Sequence, residues 1–344
     1  MGKNRKFEKI FCILHLYMVR IPPYFGNQRI LTLNFKDTLP IMRYISIFLI
    51  ISLFYACNFN PPQRKADSSK MKFDVTIDTA KIAQIRLTNP VDYRRILDTI
   101  DPGDLSSLDA ACTLFRNCVA DTLTRDSMFV ILNDFFNHLA GIYLENNEKI
   151  SNQLLISPSV QTINAIHSSL ETHGLLLCSS EGAFFIEPYT PFLLQNFGHE
   201  LSPAYRDYLT IESEEQKERF VRDGKTVIPP DSLVARIVTW DHFITKYPRF
   251  ISIRNAQDKD AQYLGAYLAG TEGSTVFDPE TTVLNDSSRL SFESFIVKNP
   301  EIKSTQVVRD YLELLRTSDF RYTEKVDSFL LKKVFGAEFA EGQN

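Results

Sequence analysis

The sequence predicts a mainly α-helical body of stacked helical hairpins, with one small β-hairpin near residues 175–187. Three observations predict it. After Leu105, apolar residues recur at steps of three and four, the spacing of helices that bury one face. That period gives way to short apolar runs at 175–187. In the C-terminal third, a pattern of helix, Pro-marked turn and helix occurs twice.

The first stripe is Leu105, Leu108, Cys112, Phe115 and Val119. A second runs through Met128, Leu132, Phe135, Leu139 and Tyr143. Asp101-Pro102-Gly103-Asp104 marks the start, and Asp121-Thr122 the gap between the two, residue types that cap helices and make turns. Together they read as an antiparallel helical hairpin. A shorter stripe, Val160, Ile163, His167 and Leu170, follows Ser157-Pro158-Ser159 and stops at Gly174. His167 is expected there as a core histidine.

Leu175-Leu176-Leu177-Cys178 and Ala183-Phe184-Phe185-Ile186 then flank Ser179-Ser180-Glu181-Gly182. Two apolar runs around a Gly-containing turn form a β-hairpin signature. Pro188 and Pro191 end it, and short helices are expected near Phe192–Phe197 and Pro203–Thr210. Residues 211–223 hold Glu212, Glu214, Glu215, Lys217, Glu218 and Arg219, and read as a solvated link with helical potential.

In the last third, Trp240-Asp-His-Phe243-Ile244-Thr-Lys246-Tyr-Pro248 recurs, 52 residues on, as Phe292-Glu-Ser-Phe295-Ile296-Val-Lys298-Asn-Pro300. Each Pro falls where a helix should already have ended. A second helix follows each copy, around Tyr263-Leu264 and Tyr311-Leu312. One such hairpin cannot bury its apolar stripe, so neighbours must stack. Over about 231–317 the pattern resembles tetratricopeptide-like helical hairpins, in particular those of bacterial envelope lipoproteins. That resemblance implies a scaffold presenting an extended surface. Trp240 is read as a core residue and His242 as exposed.

Hydrophobic residues make up 44% of the 344 and aromatics 12%, ordinary globular values. A chain of this size can bury a core without metals or disulfides. Two lobes are expected, 71–223 and 224–344. Residues 1–41 carry a local +5 and Arg43 one more charge, so the whole-chain −4 leaves −10 from Cys57 onward. Such a body suits no phosphate backbone, and nucleic acid is set aside as a partner. Cys112, Cys118 and Cys178 are odd in number and lie at no zinc spacing. Buried free thiols are expected, with a disulfide from Cys178 as the alternative. No metal or cofactor is expected.

The most specific signal is Met42 to Cys57: one arginine, an apolar run from Ile45 to Tyr55, then Ala56-Cys57. Eleven helical residues rise only about 16 Å, short of the ~30 Å hydrocarbon core. The length fits an export signal. Phe54-Tyr55-Ala56-Cys57 resembles the lipobox of bacterial lipoproteins. The resemblance implies a diacylglyceryl thioether on Cys57, cleavage before it, and anchoring to a membrane. Asn58 after the cysteine implies delivery to the outer rather than the inner membrane. Residues 57–70 read as a tether, 42–56 as the signal, and 1–41 as lying upstream of the true start at Met42.

The sequence contains no G-x-S-x-G, H-E-x-x-H, P-loop or G-x-G-x-x-G. The aromatic-rich stretch Phe184-Phe185-Ile186-Glu187-Pro188-Tyr189-Thr190-Pro191-Phe192 is the candidate ligand ledge. Its candidate residues are Glu181, Phe184, Phe185, Glu187 and Tyr189. His199-Glu200 reads as turn chemistry or as a metal-binding pair. The expected function is a non-catalytic envelope lipoprotein that binds a protein or glycan partner. The alternatives are a periplasmic glycan or peptide hydrolase acting through Glu181 or Glu187, and a substrate-capturing lipoprotein of an outer-membrane uptake system.

Overall fold

A computed structural model describes residues 84–336 apart from Ser157, together with Ile82. The expected leader, signal, lipid-bearing Cys57 and tether lie outside the described residues. Helix α1 (Pro90–Leu97) is opened by Asn89, whose side chain accepts from the Asp92 amide. Helix α2 (Ser106–Arg116) buries Leu108, Cys112 and Phe115. Helix α3 (Thr122–Asn146) starts at the predicted Asp121, which accepts from the Leu123 and Thr124 amides and so satisfies two otherwise unbonded donors. It buries Met128, Leu132, Phe135, Leu139 and Tyr143, and α2 packs against it.

Helix α4 (Glu148–Ile156) leads to α5 (Val160–Thr172), capped by Ser159. The α5 stripe differs from the expected one. Leu170 is buried as expected, but its buried partner is Ile166 rather than Ile163 or His167, and Val160 is 68% exposed. His167 is half-exposed rather than in the core, with Nδ1 3.3 Å from Glu171. A short helix buries what its i, i+4 pair reaches, and here that pair is shifted three residues from Ile163 and His167.

The predicted β-hairpin is present as β1 (Leu175–Ser180) and β2 (Ala183–Pro188), paired from Leu175↔Pro188 to Ser180↔Ala183. Glu181 and Gly182 take φ of 51° and 78°, the left-handed pair that a two-residue turn requires. Helix α6 (Thr190–Phe197) and a 3-10 turn (Gly198–Glu200) follow. Helix α7 (Pro203–Lys217) runs well past its expected end. The expected solvated link is therefore partly core, with Ser213 and Glu215 buried.

The first repeat is α8 (Pro230–Lys246) and α9 (Ile253–Ala269); the second is α10 (Asp286–Lys298) and α11 (Lys303–Arg316). Both first helices stop one residue before a Tyr-Pro or Asn-Pro pair, 52 residues apart. Trp240, Phe243, Phe292 and Phe295 are all at most 4% exposed, so the repeated aromatics are what the stack buries. Helix α12 (Glu324–Phe329) and a π turn (Leu330–Val334) close the described chain.

Two further hairpins were not foreseen. β3 (Val221–Arg222) pairs with β4 (Lys225–Thr226), and β5 (Gly270–Thr271) with β6 (Ser274–Thr275). Each turns on an acid-Gly pair, Asp223-Gly224 and Glu272-Gly273, just as the first turns on Glu181-Gly182. Their tips are joined. The Glu181 amide donates to Asp223 Oδ1 at 2.6 Å, and the Gly273 amide donates to the Gly224 carbonyl at 2.9 Å.

An aromatic seam ties the helices together. Phe115, Phe129 and Phe197 meet edge-on or tilted, Phe129 meets Tyr205 at 4.9 Å, and Tyr205 meets Phe250 at 5.1 Å. Tyr208 carries the seam on to Trp240 at 5.5 Å. Aromatic pairs in such arrangements contribute about 0.5–1.5 kcal/mol each beyond their burial. Two buried aspartates add polar joints. Asp126 of α3 accepts from the Ser202 amide at the start of α7, and Asp241 of α8 accepts from Ser304 at the start of α11, each at 2.9 Å. In both cases a carboxylate on one helix satisfies the open amide end of another.

Candidate functional site

The candidate ledge sits on β2, and strand geometry decides its shape. Residues directly opposite in an antiparallel pair share a face, and neighbours along a strand alternate. Leu175, Leu177 and Ile186 are buried on one face, which also carries Phe184. Cys178, Phe185 and Glu187 share the other. The run of aromatics is thus divided between two faces rather than forming one ledge. Phe184, Phe185, Glu187 and Tyr189 are half-buried, and Glu181 is exposed at the turn. The Tyr189 amide donates to the Gly174 carbonyl at 2.8 Å, locking the exit from the hairpin.

The second face is closed by the segment that follows it. Arg219 donates to Glu187 Oε1 and, at 2.9 Å, to the Cys178 sulfur. Its guanidinium lies 5.6 Å from the centre of the Phe185 ring. Gln216 Nε2 donates to Glu187 at 2.6 Å and to the Pro188 carbonyl at 2.9 Å, and Gln216 Oε1 accepts from the Thr190 amide. Burial pulls the Arg219 pKa down, and the bond to and charge of Glu187 more than restore it, leaving it above its ordinary value. Burial, then Glu187, pushes the Cys178 thiol up to about 12 despite the arginine beside it. A thiol so held is protonated at neutral pH and a weak nucleophile.

This arrangement is a clasp of Glu187, Arg219 and Gln216 over a strand. A general acid/base pair would need two carboxyls aimed at one space. Glu181 and Glu187 are not so arranged. Glu187 is engaged by two donors, and Glu181 stands on an exposed turn whose amide is held by Asp223.

The other singled-out residues fall as follows. Cys112, Cys118 and Cys178 are free thiols, the first two buried. Burial lifts Cys112 to about 12 and Cys118 to about 11. The His199 side chain is 73% exposed, and Glu200 is paired with Arg125. His242 is exposed, and Trp240 is fully buried, as the sequence implies. Among the described residues no three metal-ligating side chains converge.

The most elaborate polar cluster was missed by the sequence reading. Glu215 of α7 accepts from Trp240 Nε1 and from the Tyr263 hydroxyl, both at 2.7 Å. Lys259 lies 3.4 Å from Glu212, and Arg236 stacks 5.5 Å from the centre of the Tyr263 ring. Burial raises the Glu215 pKa, and Lys259, Tyr263 and Trp240 act against that rise. The signal was present: Tyr205, Tyr208, Glu212 and Glu215 continue one stripe at steps of three and four. Glutamate is seldom buried unpaired, which is why residues 211–223 read as a solvated link after a helix near Pro203–Thr210.

Outside these clusters, an open groove between α4 and α5 is lined by Glu148, Lys149, Asn152, Gln153, Ile156 and Thr162. No helix among the described residues is long and apolar enough to cross a membrane. Comparison with protein-family models, curated proteins and solved structures found no match to this chain.

Proposed function

We propose that the protein is a cell-envelope lipoprotein, held at the outer membrane through a lipid on Cys57, that binds a protein or glycan partner without catalysis. The observation that carries this reading is the apolar run Ile45–Tyr55 ending in Ala56-Cys57 after one arginine. Its length suits export and not a membrane span. Acyl chains contribute about 0.8 kcal/mol per buried CH₂, and two or more give stable anchoring.

The folded body supports the binding part of the reading. Its helical hairpins offer surface in the manner of repeat scaffolds. The residues best placed for chemistry are instead used to hold elements together: Glu187 in the hairpin clasp, Glu215 under Trp240, and Asp126 and Asp241 at helix starts.

Metabolic labelling with a radioactive fatty acid tests the anchor. The wild-type chain expressed in a lipoprotein-processing bacterium takes up label and fractionates with membranes, and Cys57→Ser takes up none. Equal labelling of the serine variant, or an unlabelled wild type in the soluble fraction, refutes the reading.

A further inference from the structure

Asp241 of α8 is buried, and half-buried Asp260 of α9, the helix packed on α8, has one buried carboxyl oxygen. Asp241 of α8 is 4% exposed. Its Oδ2 accepts from both the amide and the hydroxyl of Ser304, each at 2.9 Å. Asp241 thus seats the first turn of the second repeat's closing helix on the first repeat. The other carboxyl belongs to Asp260 of α9. Its Oδ1 is buried and has no hydrogen-bond partner. A buried polar atom left unbonded is rare and costs about 1–3 kcal/mol, and more if charged. It calls for a physical account.

We propose that Asp241 and Asp260 form a pH-sensitive joint, in which ionisation of Asp260 loosens the seating of α11 on α8. Neutral Asp260 is tolerable in an apolar setting. Ionised Asp260 is a second negative charge, unsolvated and unpaired at Oδ1, placed near the carboxylate that holds Ser304. The cheapest relief is to admit water, which opens the contact that Asp241 makes.

No cation from the surrounding elements offsets that charge. On α8, Arg236 is turned to Tyr263 and to the Glu218 carbonyl, Lys246 is bound to Asp207, His242 is exposed, and Asp231 bears on Tyr267. On α9, Lys259 faces Glu212 and Glu215 of α7, and Arg254 and Asp258 are exposed. On α11, Ser304 and Thr305 are buried, Lys303 is exposed, and half-buried Arg309 and Asp310 are both engaged by Gln306. The π turn packed on α9 carries Lys332 and Lys333, both exposed. Burial, then the charge of Asp241, lifts the Asp260 pKa to about 7. A folded-state value raised above the ordinary one leaves the joint at full strength at low pH, where Asp260 is protonated folded or unfolded. Stability then falls as pH rises from the ordinary carboxylate range to about 7, and is level above it. The device works whatever partner the protein binds.

Hydrogen exchange of the full chain, read by mass spectrometry at pH 6 and pH 8 and corrected for the chemical exchange rate, tests it. A group titrating near 7 predicts about tenfold less protection of the α11 first-turn amides at pH 8. Reference amides in α3 should not change. Asp260→Asn removes the charge and should hold protection constant. Asp241→Asn keeps an acceptor for Ser304 but removes the repulsion, and should move the transition to lower pH. Wild-type protection equal at both pH values overturns the proposal without any variant. So does an undiminished fall in Asp260→Asn.

Discussion

Replacing Trp240 with alanine should destabilise the protein by about 3–5 kcal/mol, the range for deleting a buried large aromatic. Trp240 has no exposed surface and lies edge-on to Tyr208 at 5.5 Å and Phe243 at 5.7 Å. The loss has a second part. Its Nε1 donates to Glu215 Oε1, and without it that buried oxygen loses the donor that the indole supplied. Trp240→Phe separates the two parts. It keeps one packed ring while removing the donor, and should cost less than the alanine, with about 1–3 kcal/mol of its cost from the lost donor. Because Trp240 is the protein's one tryptophan, unfolding in urea should be followed by far-ultraviolet circular dichroism rather than fluorescence. Equal midpoints for wild type and Trp240→Ala would contradict the aromatic seam.

Gly270→Ala should cost about 3 kcal/mol or more. Gly270 takes φ 85° and ψ −168°, a region essentially closed to side chains. An added Cβ would stand 2.3 Å from the Ser274 carbonyl oxygen, which is backbone and fixed by the β5–β6 pairing. Gly182→Ala is the control. It has a similar φ of 78°, but a Cβ there meets nothing within 4 Å. Its cost should be about 1–2 kcal/mol, the left-handed penalty alone. The difference between the two urea midpoints measures the clash, and no difference would mean that β5–β6 can shift freely.

What the sequence revealed and what it hid follow from range. Helices announced themselves through their stripes and through caps such as Asp121 and Ser159, because both signals are local. The 52-residue repeat was legible because the same aromatics fill the same sites: Trp240 and Phe292, Phe243 and Phe295. The β1–β2 hairpin was visible as a change of period. Strands of two residues have no period, so β3–β4 and β5–β6 left only their acid-Gly pairs to betray them.

Side-chain roles were less legible because partners decide them. Glu215 was read as solvated because composition treats acids as surface, and nothing near it in the chain shows Trp240 and Tyr263 arriving from other helices. Phe184 and Phe185 were read as one ledge, yet strand alternation sends them to opposite faces. Arg219, counted among linker charges, closes over Cys178 and Glu187 from a distance no local pattern records. The thiols came out as expected, free and, for Cys112 and Cys118, buried.

The anchor is the claim on which localisation and partner both depend. Its most direct measurement is the mass of the amino-terminal peptide of the protein isolated from its native cells. The account predicts a peptide beginning at Cys57, carrying a diacylglyceryl group on sulfur. A mature protein that retains residues before Cys57 and bears no lipid would contradict it.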